Sequence, residues 1–217
     1  MRWSTADIAE ALEAGLRERA AADDAEHAVY GFDALDELGL HPLLAEALER
    51  HGAGADAWGV WPEQRYPGHW AKRKKSEGLR CDLVLTPDGR PLADPDTKGT
   101  LFGAATACDA GEAYWLEVKT VAQFELGEGF RRYSAELLRP VMADVKKVWQ
   151  DGVIRHGGLA LVLFTADAEV ADHDVLAWHT RCIEKGLPVQ SPAVRGFPIT
   201  DRIGNGWCSV TVFGVRG

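Results

Sequence analysis

The sequence predicts an α/β fold, in which a mixed central β-sheet is flanked by helices and preceded by an N-terminal helical extension. Three observations support this prediction. Helical patterns dominate the first part of the chain, strand-like apolar segments alternate with helical ones in the rest, and 217 residues with 46% hydrophobic content can bury one sizeable core. We therefore expect a single domain over 1–217, with N-terminal helices in 1–52 and an α/β core in 53–217.

The N-terminal extension is predicted to contain two helices. A Ser-x-x-Asp capping pattern begins at Ser4 and precedes apolar residues at helical spacing, which predicts a helix over 4–22. A second helical region spans 32–50. Its pattern predicts an interruption near Gly39 and a restart at Pro42, because proline suits a first helical turn.

Three strands are predicted to follow. The first spans 57–66, and Pro62 within it indicates an edge strand or a bulge. The second spans 79–85 and ends at a Pro-Asp-Gly turn, and the third spans 113–121. The gap between the second and third strands is longer than a tight hairpin needs, so 87–111 are predicted to form an insertion.

Helices and strands are predicted to alternate in the rest of the chain. A long helical pattern follows the third strand, and Pro140 inside it predicts a kink or a restart. The nearly continuous apolar run over 159–165 is typical of a central strand covered on both faces. A helix over 172–185, a loop rich in proline and glycine as far as residue 206, and a last strand over 207–215 complete the order.

Composition and missing motifs exclude several classes of function. The formal net charge of -9 argues against a protein that coats nucleic acid through its overall field. No apolar run is long enough to span a bilayer, and the N-terminus lacks a signal-peptide core, so we expect a cytoplasmic protein with no membrane partner. The four cysteines form no Cys-x-x-Cys pair and are predicted to be buried, reduced thiols. The chain has no phosphate-binding loop, nucleophile elbow or His-Glu-x-x-His pair.

Acidic residues stand at the centres of two otherwise apolar predicted strands. Asp82 lies on the second strand, and Glu117 lies on the third, two residues before Lys119. Burying a carboxylate is costly unless a cation or hydrogen bonds satisfy it. Side chains alternate along a strand, so Glu117 and Lys119 are predicted to share a face, and Asp82 joins them if its strand lies alongside. This set predicts a divalent-cation site suited to phosphodiester cleavage, with a buried structural ion pair as the alternative.

At these residues the sequence resembles the PD-(D/E)xK nuclease superfamily, whose pattern is an Asp on the second core strand and a Glu-x-Lys on the third. Cys81 stands where the family pattern has proline. The resemblance implies a restriction-endonuclease-like core, whose second and third strands diverge around the acidic cluster. It also implies a Mg²⁺- or Mn²⁺-dependent endonuclease, in which Asp82, Glu117 and the carbonyl group of Val118 hold the metal. Lys119 would then orient the attacking water or stabilise developing charge.

Nucleases of this type often use a further acidic residue to complete the metal shell. The candidates are Glu37, on the helix before the sheet, and Glu63, on the first strand, with Glu63 slightly favoured. Glu37 precedes His41 at i,i+4, so both can project toward the sheet. The simpler interpretation of His41 is a capping or core histidine, and that of Glu63 is an ion pair with Arg65 or a loop lysine.

The predicted substrate contacts lie on either side of these strands. The densest positive run of the chain falls between the first two strands and comprises Lys72, Arg73, Lys74 and Lys75. This run predicts contact with a phosphate backbone, with a solvated loop as the alternative. Gln123 has the same parity as Lys119 and is predicted to face the substrate. On the following helix, Tyr133, Asp144 and Lys147 are candidates for groups near the site, although Asp144 and Lys147 also fit a surface ion pair.

Two functions from different classes remain open at this point. The first is a metal-dependent nuclease with DNA as its expected partner, RNA or branched DNA as alternatives, and a homodimer as the arrangement suited to cutting both strands. The second is a noncatalytic PD-(D/E)xK-like binding module that acts through a nucleic-acid or protein partner.

Overall fold

The chain folds around a six-stranded mixed sheet flanked by helices, which confirms the predicted fold class. The computed structural model describes residues 3–51, 57–70, 79–93, 107–126 and 140–216. The basic run at 72–75 and Tyr133 lie outside the described residues, so the contacts predicted for them stay predictions.

Two of the described helices precede the strands, and the other two alternate with the later strands. They are α1 (Thr5–Ala25), α2 (Glu37–His51), α3 (Pro140–Gln150) and α4 (Ala168–Glu184). Among the described residues, no helix has the length and apolar content needed to cross a membrane.

The sheet contains one parallel pair of strands. Its strands are β1 (Gly59–Arg65), β2 (Arg80–Thr86), β3 (Tyr114–Ala122), β4 (His156–Thr165), β5 (Ala193–Pro198) and β6 (Trp207–Arg216). The spatial order is β1-β2-β3-β4-β6-β5; β3 and β4 are parallel and the other neighbours are antiparallel. The strand β1 is therefore an edge strand, as Pro62 predicts.

Apolar side chains cover both faces of the sheet. Leucines of α1 and α2, such as Leu12 and Leu44, pack with the side chains of one face. Valines of α3 and Trp178 of α4 pack with those of the opposite face. The central strand β4 is buried from Gly157 to Thr165, which confirms the interpretation of its continuous apolar run.

The second helix is not interrupted where its sequence predicts. A short 3₁₀ turn over Phe32–Ala34 precedes α2, which then runs unbroken through Gly39 and Pro42. The Asp36 side chain accepts a hydrogen bond from the N–H of Gly39 at 2.8 Å and so satisfies a free amide of the first turn. The break predicted near Gly39 is therefore wrong, because the capped start of the helix lies before Glu37.

The predicted C-terminal loop contains a strand. The strand β5 pairs with β6, and residues 199–206 connect the two. A Cβ atom on Gly196 would lie 2.8 Å from Nε1 of Trp207, so glycine permits this close packing. The prediction of a loop is wrong here because glycine and Pro198 obscure the short strand pattern, although an edge strand tolerates both.

All four cysteines are free and buried, as their spacing predicts. Cys81 packs in the same apolar cluster as Tyr66 and Trp115. Burial raises the pKa of the Cys81 thiol well above its ordinary value, and the neighbouring carboxylates add to this effect. These thiols therefore stay protonated and behave as small apolar side chains.

Candidate metal centre

The ladder between β2 and β3 ends at the predicted acidic residues. The last pair of partners is Leu83 with Leu116, and the same register would next set Asp82 opposite Glu117. Instead, Asp82 Oδ2 accepts a hydrogen bond from the main-chain N–H of Val118 at 2.7 Å. A carboxylate thus takes the place of a main-chain partner, and the pairing stops where the acidic side chains begin.

Glu117 is almost completely buried, with only 2% of its surface exposed. The Tyr66 hydroxyl donates a hydrogen bond to Oε1 of Glu117, and Nζ of Lys147 lies 3.8 Å from Oε2. Burial, together with the charge of Asp82, raises the pKa of Glu117 to about 9, although Tyr66 and Lys147 act in the opposite direction. Without a metal ion, Glu117 therefore holds a proton at neutral pH.

Burial and hydrogen bonding act on the pKa of Asp82 in opposite directions. Burial raises the pKa of its carboxyl above the ordinary value, whereas the Val118 N–H, His41 and a hydrogen bond to Glu117 lower it in part. Two carboxyl groups this close cannot both ionise cheaply in a site shielded from water. A divalent cation would remove that penalty.

Lys119 contacts the helical layer formed by α2. Its Nζ lies 2.8 Å from Oε2 of Glu37, and the side chains of this pair are 21% and 31% exposed. The same Glu37 oxygen accepts the main-chain N–H of Thr120 at 3.3 Å. Glu37 therefore joins the start of α2 to β3, and its charge also raises the pKa of Asp82.

One group of side chains among the described residues has a spacing that suits a metal ion, and it consists of His41, Glu63 and Asp82. One ligand atom from each lies within 4.8 Å of the others. The buried Nε2 of His41 has no hydrogen-bond partner among the described residues. His41 lies inside α2, four residues after Glu37, so it does not cap the helix, and it stands beside Glu63 and Asp82. That i,i+4 spacing was the only signal for it in the sequence.

Glu63 reaches this group through an unusual backbone conformation. Its φ is +55°, in the left-handed region that non-glycine residues seldom adopt. The register between β1 and β2 pairs Pro62 and Gln64 with residues of β2 but passes over Glu63. Nη1 of Arg80 donates to the main-chain carbonyl of Glu63 at 2.6 Å, which supports the strained residue from the neighbouring strand.

The helix α3 contributes a cation from the opposite layer. Nζ of Lys147 lies 2.6 Å from Oδ1 of Asp144 and also faces Glu117. Burial lowers the pKa of Lys147, but the Asp144 hydrogen bond and the Glu117 charge outweigh it and hold the pKa above its ordinary value. The pair of Asp144 and Lys147 is therefore not only a surface ion pair, because Lys147 also lies near Glu117.

Gln123 lies just past the end of β3, so the alternation that placed it with Lys119 does not extend to it. Its Oε1 accepts the N–H of Ala166 at 2.8 Å, and its own N–H donates to the carbonyl of Phe164 at 2.7 Å. These bonds connect the ends of β3 and β4, which is a structural role.

A cleft of about 500 Å³ opens beside Lys119. Its acidic lining residues are Asp33, Asp36, Glu37 and Glu125, and its apolar ones include Leu35 and Leu126. Of the ten lining residues, four are acidic and one, Lys119, is basic, so the formal charge of the cleft is negative.

We compared the chain with protein-family models, curated proteins and solved structures, and none of the three comparisons found a match. The centre is therefore interpreted from the chemistry of its own residues.

Proposed function

We propose that the chain is a metal-dependent nuclease of the PD-(D/E)xK type, which hydrolyses phosphodiester bonds with DNA as the expected substrate. The observation that carries the proposal is the end of the β2–β3 ladder, where Asp82 accepts the Val118 N–H at 2.7 Å beside the buried Glu117. Lys119 follows Glu117 in the Glu-x-Lys pattern of that superfamily.

The residues of the centre fit a divalent cation. Asp82 and Glu117 are close enough to disfavour double ionisation, and the buried Nε2 of His41 lacks a hydrogen-bond partner among the described residues. Asp82 and Glu117 would hold Mg²⁺ or Mn²⁺, with His41 and Glu63 as further donors on the β1 side. Such an ion lowers the pKa of a bound water and neutralises charge on a phosphate.

The protein side chains would position and stabilise the reacting groups. Lys119 would present its ammonium group to the attacking water or to the phosphate oxygens, where charge develops. Glu37 would fix the direction of that ammonium group through the 2.8 Å contact. Tyr66 and Lys147 would hold the Glu117 carboxyl in one orientation from two sides.

Cleavage of plasmid and linear DNA in Mg²⁺ or Mn²⁺ tests this proposal. Asp82→Ala, Glu117→Ala and Lys119→Ala should each abolish cutting while circular dichroism stays unchanged. Lys146→Ala is the matched control, because Lys146 is exposed on α3, next to Lys147. Cutting by Lys119→Ala at the wild-type rate would contradict the assignment.

A noncatalytic binding module on the same scaffold is the second candidate. The acidic cleft beside Lys119 and the net charge of -9 favour it, because both weaken nonspecific attraction to nucleic acid. Calorimetry with Mg²⁺ and Mn²⁺ separates the two functions. A titration without heat would favour the module, whereas binding that is lost in Asp82→Asn would favour the nuclease.

A further inference from the structure

We propose that His41 supplies a nitrogen ligand to the metal ion, together with oxygen ligands from Glu63 and Asp82, and that the centre therefore selects Mn²⁺ over Mg²⁺. This inference rests on the proposed metal-dependent function and deepens it. The Asp and Glu-x-Lys residues alone predict a site made of oxygen ligands, to which either ion would bind.

The spacing of the three side chains suits a single ion. One ligand atom from each of His41, Glu63 and Asp82 lies within 4.8 Å of the other two. Ligands on opposite sides of one ion are about 4 Å apart, twice a typical bond length, and neighbouring ligands are closer. Small side-chain rotations therefore suffice to bring all three atoms onto one centre.

The hydrogen-bonding state of His41 is an independent observation. Its Nε2 is buried and has no partner among the described residues, although buried polar atoms are nearly always satisfied. His41 lies on α2, and one of its ring nitrogens is within 4.8 Å of a carboxylate oxygen of Asp82. A neutral imidazole nitrogen in such a position has a free lone pair, which is what a metal ligand requires.

Glu63 closes the group from the edge strand. Its left-handed φ of +55° is costly for a glutamate, and such conformations cluster at ligand sites. The hydrogen bond from Arg80 to its carbonyl, at 2.6 Å, holds that conformation in place. Because Glu63 is exposed, the centre opens to solvent at this edge and an ion can enter there.

An imidazole ligand changes which ion is preferred. Mg²⁺ is a hard ion that favours carboxylate, carbonyl and water oxygens in octahedral geometry. Affinity for nitrogen donors rises along the divalent transition metals, of which Mn²⁺ is the first. We therefore expect Mn²⁺ to bind about tenfold more tightly than Mg²⁺, and we expect this margin to depend on His41.

Pulsed electron paramagnetic resonance of Mn²⁺ bound to the whole metal-free chain tests the nitrogen ligand directly. The wild-type spectrum should show coupling to one ¹⁴N nucleus, and this coupling should change to that of ¹⁵N when the protein is made with ¹⁵N-histidine. Neither spectrum requires a variant to fold. A Mn²⁺ spectrum without nitrogen coupling overturns the inference.

Calorimetry of variants identifies the histidine. His41→Gln should lose most of the Mn²⁺ preference, whereas His173→Gln, at an exposed position of α4, should leave both affinities unchanged. If His41→Gln still prefers Mn²⁺ over Mg²⁺ as strongly as the wild type does, the inference is wrong.

The failure of this inference can be told apart from that of the nuclease proposal. Metal-dependent cleavage by a chain whose bound Mn²⁺ has no nitrogen neighbour leaves the nuclease standing without the histidine ligand. If the chain binds neither Mn²⁺ nor Mg²⁺, both the nuclease proposal and the histidine ligand are wrong.

Discussion

The main-chain N–H of Val118 donates to Asp82 Oδ2 at 2.7 Å, where the next ladder bond between β2 and β3 would otherwise form. One carboxylate therefore ends the pairing of two core strands. The same residue stands beside Glu117, and one of its oxygens lies within 4.8 Å of ligand atoms of His41 and Glu63. Asp82 therefore belongs both to the end of the strand pairing and to the acidic cluster.

The pH dependence of stability should reveal the buried proton on Glu117. Its pKa is about 9 in the folded chain and near 4.5 in the unfolded chain, so unfolding at intermediate pH releases a proton. The contribution of the Glu117 proton to the free energy of unfolding is therefore fully present below about pH 4.5 and is lost as pH rises toward 9. By pH 7 the loss is about 3 kcal/mol. Glu117→Gln removes this slope. Urea unfolding between pH 5 and pH 9 measures it, and parallel profiles for the two proteins would contradict the buried proton.

Tyr66→Phe should destabilise the chain because it leaves a buried oxygen of Glu117 without its donor. The expected loss is about 1–3 kcal/mol in the free energy of unfolding. Tyr114→Phe is the matched control, because the Tyr114 hydroxyl is also buried but has no partner among the described residues. Removing the Tyr114 hydroxyl should leave the free energy of unfolding, measured with urea, nearly unchanged. Equal losses in the two variants would show that the Tyr66 hydrogen bond contributes nothing.

Glu37→Gln should slow cleavage without weakening substrate binding. The amide keeps an oxygen for the Thr120 N–H but loses the charge that orients the Lys119 ammonium group. We expect kcat to fall about tenfold with KM unchanged. Because the pair is partly exposed, stability should change by less than about 1 kcal/mol. Glu46→Gln, at an exposed position of α2, is the control, and an unchanged kcat in Glu37→Gln would remove the positioning role.

Metal binding should release a proton at neutral pH. Glu117 holds a proton in the metal-free chain and must lose it to become a ligand. Calorimetric titrations with Mn²⁺ in two buffers of different ionisation enthalpy measure the number of protons released. We expect about one proton at pH 7 and tighter binding as pH rises toward 9. Identical heats in the two buffers would mean that Glu117 stays protonated and outside the metal shell.

The order of most elements follows from local sequence patterns, whereas β5 does not. Apolar periodicity reveals amphipathic helices and buried strands because each buries a regular set of side chains. The strand β5 is six residues long, lies at an edge and contains Gly196 and Pro198. Its pairing with β6 supplies the stabilisation that its own composition lacks, so the strand depends on a partner distant from any local signal.

Some residues of the candidate site could be predicted from local sequence patterns and others could not. Asp82 and Glu117 could be found because a carboxylate in an apolar strand is unusual and demands a partner. The roles of His41 and Lys147 could not, because each depends on how a helix packs against the sheet. The left-handed conformation of Glu63 breaks the strand alternation, so the strand pattern alone does not give the direction of its side chain.

Whether Asp82 and Glu117 share one metal ion can be seen in a crystal of the whole chain grown with Mn²⁺ and measured at the manganese absorption edge. We expect one anomalous peak bonded to Asp82 and Glu117, with His41 and Glu63 as the additional candidates for its shell. A crystal with saturating Mn²⁺ and no peak between Asp82 and Glu117 would contradict it.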